Sequence, residues 1–422
     1  MLNFSSFAFI SVLCLCLNVC AKEDSKLLFV QILFRHGDRA PITLYPNDPN
    51  PESIWSEGLG RLTMLGRRQQ YALGKLFRRM YQNFTTSSPL EIEVVSSDSD
   101  RCLRSAETNL ASFFAPDATW QFDESLDWQP LPVHYIPKNV DKFLEVDSDC
   151  PQAFAEQERV RQTPEAQKFL EEHKDMFENL TYYSGTPITE WRSASDFHDV
   201  LFIERKYNLT IPSWAEPYWE ELRYVSDLSF FWSFNSPLLH RLRAGPLIQK
   251  IIEMMNKKIS GDLPNQKIQV YSAHDTNIAV VLDALNLFNF KAPPYCSTLI
   301  FELHEMSDGI NAMRLLFLNS TEPEKEMQPP HVLILNGCTE FCPLSYVINY
   351  TKALMPDDWE KECKVKESFI QQVKDQASWI ETTLLVVIIV LAVIAVVIIL
   401  LSAWKLCSRN RDKYSYHPMP MS

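Results

Sequence analysis

The sequence predicts an α/β fold: a sheet domain flanked by helices, interrupted by a smaller helical subdomain and followed by a single C-terminal transmembrane helix. Three observations predict it. Apolar runs alternate with amphipathic helical segments over about the first 115 residues, the pattern of a parallel sheet with covering helices. The stretch from about 126 to 230 carries helical runs such as Pro164 to Glu178 and Ile188 to Tyr207, without a strand pattern. Leu384 to Leu401 is eighteen residues of Leu, Val, Ile and Ala with no polar side-chain atom, enough to cross a bilayer.

The elements follow in order. The run Leu27 to Phe34 reads as a core strand, with a helix over about 61–82, a strand over 91–95 and a helix over about 101–114. A Trp/Pro-rich stretch leads into the insert, where Trp120, Trp128 and Tyr135 are placed to wall a cleft. A long amphipathic helix is expected over about 235–258, and strands over 267–271, 298–304, 313–318 and 332–335. Residues 366–381 read as a stalk and 382–404 as the membrane helix, with Trp379 and Trp404 where interfacial aromatics belong.

The segment Arg35-His36-Gly37-Asp38-Arg39 stands directly after the first strand. A histidine between two arginines at a strand end is how a phosphate is held beside a nucleophile. Guanidinium forks donate to phosphate oxygens, and imidazole is partly neutral near pH 6. The alternative, a solvated charged loop, is disfavoured by the place of the five residues at the end of a buried strand, where ligands of open α/β sheets bind. Ala273-His274-Asp275 follows a second apolar strand.

With Leu62-Thr63, Gly66, Gly74, Asp98-x-Asp100-Arg101-x-Leu103-x-Ser105-Ala106 and Gly337-Cys338-Thr339-x-x-Cys342-Pro343-Leu344, these two motifs resemble the signature of the histidine acid phosphatases. The resemblance covers about residues 25 to 365 and points to the branch with lysosomal and prostatic acid phosphatases. It implies a phosphoglycerate-mutase-like sheet domain and hydrolysis of phosphomonoesters through a phosphohistidine on His36. Asp275 is then the acid for the leaving alcohol, and Arg35, Arg39 and His274 bind the phosphate. No cofactor or metal is implied. The resemblance also implies a homodimer and disulfides Cys150–Cys363 and Cys338–Cys342; the place of a third bridge falls on Thr298, which leaves Cys102 and Cys296 unassigned. One position departs from the pattern: aligned on Ser96-Ser97-Asp98, Val95 stands where a phosphate-gripping arginine is expected. Arg101 belongs to the pattern, and Arg104 is the candidate to fill the gap. This departure motivates a rival reading, a weak or inactive lumenal glycoprotein that binds phosphorylated ligands.

Composition places the chain. A net charge of −13 without a Lys/Arg-rich tract argues against nucleic acid. Phe7 to Leu17 followed by Val19-Cys20-Ala21 reads as a signal peptide over 1–21, which leaves the catalytic domain over 22–365. Lys405, Arg409, Arg411 and Lys413 put the tail, 405–422, on the cytosolic side. The sequons at Asn83, Asn179, Asn208, Asn319 and Asn349 all fall in the lumenal part. Tyr416-His417-Pro418-Met419 has the form of a tyrosine sorting signal read by clathrin adaptors. It points to lysosomes or endosomes, with the plasma membrane as the alternative.

Overall fold

The computed structural model describes residues 25–365, 379 and 387–405. The strands are β1 (Ser25–Arg35), β2 (Ile92–Ser97), β3 (His134–Ile136), β4 (Ile268–Ala273), β5 (Thr298–Met306), β6 (Asn311–Leu318), β7 (His331–Leu333) and β8 (Cys342–Pro343). They form one eight-stranded sheet in the order β3-β2-β4-β1-β5-β6-β7, with β8 on β6. β1, β2, β3 and β4 are mutually parallel, whereas β5, β6 and β7 run antiparallel. The expected parallel sheet is therefore only half of the structure. After β5 the chain turns back through 307–310 into β6, a hairpin that allows antiparallel pairing without a crossover helix.

The helices are α1 (Met64–Tyr81), α2 (Asp100–Phe113), α3 (Pro151–Arg161), α4 (Pro164–Glu172), α5 (Lys174–Ser184), α6 (Trp191–Lys206), α7 (Trp219–Phe234), α8 (Pro237–Leu239), α9 (Gly245–Ser260) and α10 (Asp275–Ala284). The run expected as one helix over 164–178 breaks at His173, so that α4 and α5 are separate. The helix expected over 235–258 begins as a short turn, passes through a π turn at His240–Ala244 and becomes regular only at Gly245. His134–Ile136, inside the stretch read as lacking a strand pattern, forms a short strand that pairs with β2.

Apolar alternation sorts β1 onto both faces of the sheet. Phe29 and Leu33 pack with α9 and α10 residues such as Ile251 and Ile278, while Val30, Ile32 and Phe34 pack with Leu73, Phe77 and Leu110 of α1 and α2. A strand buried on both faces needs the largely apolar run that β1 has. The insert has its own core, in which Phe177, Leu180, Trp191, Phe197 and Leu222 of α5, α6 and α7 meet.

By its internal contacts the chain divides into two compact units, 1–148 with 156–356 and 149–155 with 357–422. The disulfide Cys338–Cys342 lies in the first and Cys150–Cys363 in the second. Cys102 and Cys296 are free and buried. The helix Val387–Lys405 is long and apolar enough to cross a membrane and fits a single C-terminal transmembrane helix.

Candidate active site

β1 and β4 pair in parallel with Arg35 opposite Ala273, so the residues that follow, His36 and His274, emerge side by side at two strand ends. Their ring centroids are 5.6 Å apart. The chain turns away after His36 through a tight approach: a Cβ on Gly37 would fall 2.5 Å from the Gly66 carbonyl oxygen. Only glycine lets α1 seat against the loop this closely. The loop is then fastened from three directions. The Asp38 carboxylate accepts from Thr63 Oγ1 and Tyr207 Oη, both at 2.6 Å, and pairs with Lys206 Nζ at 3.0 Å. Asp38 thus organises the loop, and the insert reaches the motif through the end of α6.

His36 is buried, and its Nδ1 lies 2.8 Å from the Gly37 carbonyl oxygen. A carbonyl only accepts, so Nδ1 carries the proton and the Nε2 lone pair is free. Burial, with Arg101, Arg35, His274 and Arg39 nearby, holds the His36 proton affinity well below its ordinary value. The imidazole therefore favours its neutral form.

Arg35 Nη2 pairs with Asp275 at 2.7 Å, Arg35 Nη1 donates to the Pro293 carbonyl, and the guanidinium lies 4.3 Å from the centre of the Tyr295 ring. Arg39 Nη1 pairs with Asp199 of α6 at 2.8 Å. His274 caps α10, its backbone N–H donating to Asn277 Oδ1 at 3.1 Å. Its Nε2 meets Ser97 Oγ at 2.8 Å and its Nδ1 meets Arg101 Nη2 at 3.3 Å. Burial and the positive charge of Arg101 push His274 down to about 3, so it stays neutral. Asp275 is the first residue of α10; burial raises its proton affinity, but Arg35 and Arg39 outweigh that and favour the carboxylate.

His36, Arg39, His274 and Asp275 line a cleft of about 470 Å³, together with Arg101 and the insert residues Arg192, Asp196 and Asp199, and Arg35 stands behind the lining, paired with Asp275. Five of the expected residues, Arg35, His36, Arg39, His274 and Asp275, are thus brought together. Three cations beside a neutral imidazole and a carboxylate form a site for an anion, a nucleophile and an acid.

Val95 brings no charge to the site: it packs against the apolar cluster of Leu33 and Tyr271 and pairs with Tyr271, two residues before the end of β2. Arg101, which belongs to the pattern, stands in the first turn of α2 with its buried Nε left without a partner. Two expectations are corrected. Arg104 does not fill a gap; it pairs with Glu57 at 3.0 Å and Asp100 at 3.1 Å. The cleft is walled by Ile42, Val146, Val200 and Phe230, while Trp128 and Tyr135 are exposed elsewhere. The signal for Arg101 was present, since a basic residue opening a helix directly after a strand end points at the same crevice as the first motif. Asp199, Ser97 and Tyr295 carry no comparable local signal.

Residues 26–318 match the model of the histidine phosphatase superfamily, branch 2. The prostatic acid phosphatase of Bos taurus is 37% identical over 363 residues, covering 83% of this chain and 90% of that protein. The lysosomal acid phosphatase of Homo sapiens is 34% identical over 347 residues, covering 80% of each. Among solved structures, the phytase from Citrobacter braakii superposes with a TM-score of 0.60 at 20% identity, covering 80% of this chain and 99% of that one, a likeness of fold. The sequence likeness to acid phosphatases over most of the chain supports phosphatase function. Matched along more than two thirds of its length, and with its paired strand-end histidines, the chain belongs to branch 2 of the histidine phosphatase superfamily.

Proposed function

We propose that the protein is a membrane-anchored acid phosphatase that hydrolyses small phosphomonoesters through a phosphohistidine on His36. The observation that carries this reading is the free, neutral Nε2 of His36 at a cleft lined by Arg39 and Arg101. The arginines hold the equatorial oxygens of a loose transition state, where charge is concentrated. A substrate monoanion brings a proton with it, because a phosphate ester loses its second proton near pH 6. Bound phosphate cancels the pull of Arg35 and Arg39 on Asp275, and the carboxylate takes that proton. His36 Nε2 attacks phosphorus, the P–O bond to the alcohol breaks, and Asp275 protonates the leaving oxygen. Water then attacks the phosphohistidine and gives its proton to Asp275, releasing phosphate and restoring the imidazole. Acid conditions favour the cycle because they supply the monoanion while His36 resists protonation.

His36→Ala tests the assignment: the expected result is loss of turnover with an intact fold and loss of acid-labile phosphate from the trapped protein. Label persisting in the alanine variant removes His36 from the nucleophile role. Arg101 in the cleft supports an active enzyme over a binding-only glycoprotein, and turnover of an aryl phosphate near pH 5 separates the two.

The proposed setting is a type I protein of the lysosomal or endosomal membrane, with 1–21 as signal peptide and the catalytic domain in the lumen. Asn83, Asn179, Asn208 and Asn349 are exposed and Asn319 is half-buried, which supports glycosylation on that side. A homodimer is supported by the exposed edge strand β3 with Tyr135 and the neighbouring Phe122 and Trp128. Tyr416 and Met419 lie outside the described residues. Imaging of a Tyr416→Ala variant decides whether they direct the chain to lysosomes through a clathrin adaptor.

A further inference from the structure

Both arginines of the strand-end motif are already met by a carboxylate. Asp275 sits on Arg35 at 2.7 Å and Asp199 on Arg39 at 2.8 Å, whereas Arg101 has no carboxylate partner within ion-pair distance among the described residues. Asp275 has a part in the proposed chemistry; Asp199 has none. It projects from α6 of the insert, its side chain 26% exposed at the cleft, onto an arginine side chain that is 7% exposed. Arg39 Nη1 is shared only between Asp199 and the Ala40 carbonyl oxygen at 3.3 Å. A phosphate held by Arg39 therefore shares one guanidinium with a fixed carboxylate, and two anions on one cation repel in a partly buried pocket.

We infer that Asp199 is a resident counter-charge on Arg39 that weakens the site's grip on phosphate and so speeds product release. The inference rests on the phosphatase reading, in which every turnover leaves inorganic phosphate in a pocket of three arginines. Holding substrate and product more tightly lowers KM without raising kcat, and release is a common limit on turnover. A carboxylate that only oriented Arg39 would act in the opposite direction, since its loss would weaken phosphate binding. The sign of the effect therefore separates the two roles.

The test is the dissociation constant of inorganic phosphate, measured by calorimetry at pH 5 on the detergent-solubilised full chain and two variants. Asp199→Asn keeps an acceptor for Arg39 Nη1 and removes the charge; it is expected to bind phosphate at least tenfold more tightly and to show stronger product inhibition. Asp196→Asn removes a second carboxylate of the same helix that lines the cleft without pairing with Arg39, and is expected to change the constant less than twofold. Unchanged or weaker binding by Asp199→Asn overturns the inference, as does equal tightening by Asp196→Asn, which marks a general field effect. Asp199→Ser gives the same readout if the asparagine variant does not fold. Binding is read without turnover, so a wild-type chain that binds phosphate but hydrolyses nothing sinks the phosphatase reading and leaves this comparison standing.

Discussion

Arg101 Nη2 donates to His274 Nδ1 across 3.3 Å, and Ser97 Oγ takes the proton on the other ring nitrogen at 2.8 Å. A residue from the first turn of α2 and one from the cap of α10 thus fix each other at the strand ends. The guanidinium gains a partner that leaves its charge unneutralised, and the imidazole is held in one tautomer, with Nε2–H pointing to Ser97.

From this pair comes an expectation for the third arginine. Arg101→Ala should lower kcat/KM by about 10²- to 10³-fold, the usual cost of one pre-aimed donor at a charged transition state. Arg101→Lys should recover part of the loss, because lysine offers a point charge without the fork. Val95→Arg should bring no gain and should lower the melting temperature, since it places a guanidinium against Leu33 and Tyr271. A faster Val95→Arg enzyme would mean that position 95 reaches the phosphate after all.

Asp275→Asn should slow alkyl phosphates far more than aryl phosphates. A poor leaving group depends on the proton and a good one does not. The comparison is steady-state kcat on both substrate classes at one pH. Equal slowing would leave Asp275 with only its part in holding Arg35 and the start of α10.

The strand that bears the nucleophile was legible because burial on both faces demands a largely apolar run, and β1 has one from Leu27 to Phe34 broken only by Gln31, whose amide donates to the Ile251 carbonyl. His36 and His274 were legible because each follows such a strand. The sheet's antiparallel half was less so: β5 and β6 are as apolar as β4, and an apolar run does not state its direction. Asp199 was hidden for a different reason. It stands on an insert helix 160 residues from Arg39 in sequence, and its neighbours on α6 read as an ordinary polar face.

Cys102 and Cys296 should resist alkylation in the native protein and react only after unfolding. Both are buried, and burial pushes the Cys102 thiol up to about 11 and raises that of Cys296 as well, so neither offers thiolate at neutral pH. Mass spectrometry after iodoacetamide, with and without denaturant and without reductant, should find two labelled cysteines in the domain only in the denatured sample. Labelling of Cys102 in the native state would show that the floor beneath His274 opens.

The last expectation concerns acid stability. Asn50 Nδ2 donates to Glu204 Oε1 at 2.8 Å, while the other carboxyl oxygen of Glu204 is buried with no hydrogen-bond partner, as is Asp48 Oδ2. A buried carboxyl oxygen without a donor, beside a second carboxylate, favours the protonated form. Burial above all, aided by Asp48 and opposed by Asn50, raises Glu204 to about 8. The folded chain therefore keeps a proton that the unfolded chain releases at the ordinary carboxyl value. The stabilisation is full below about pH 4.5 and is lost as the pH rises through about 8. Glu204→Gln imitates the neutral, protonated form at every pH. Its melting temperature should match the wild type near pH 4.5 and exceed it by a margin that grows towards pH 8. A difference that does not vary with pH would show that the folded chain does not hold Glu204 protonated, and would remove this acid-adapted group from the floor of the loop that follows the nucleophile.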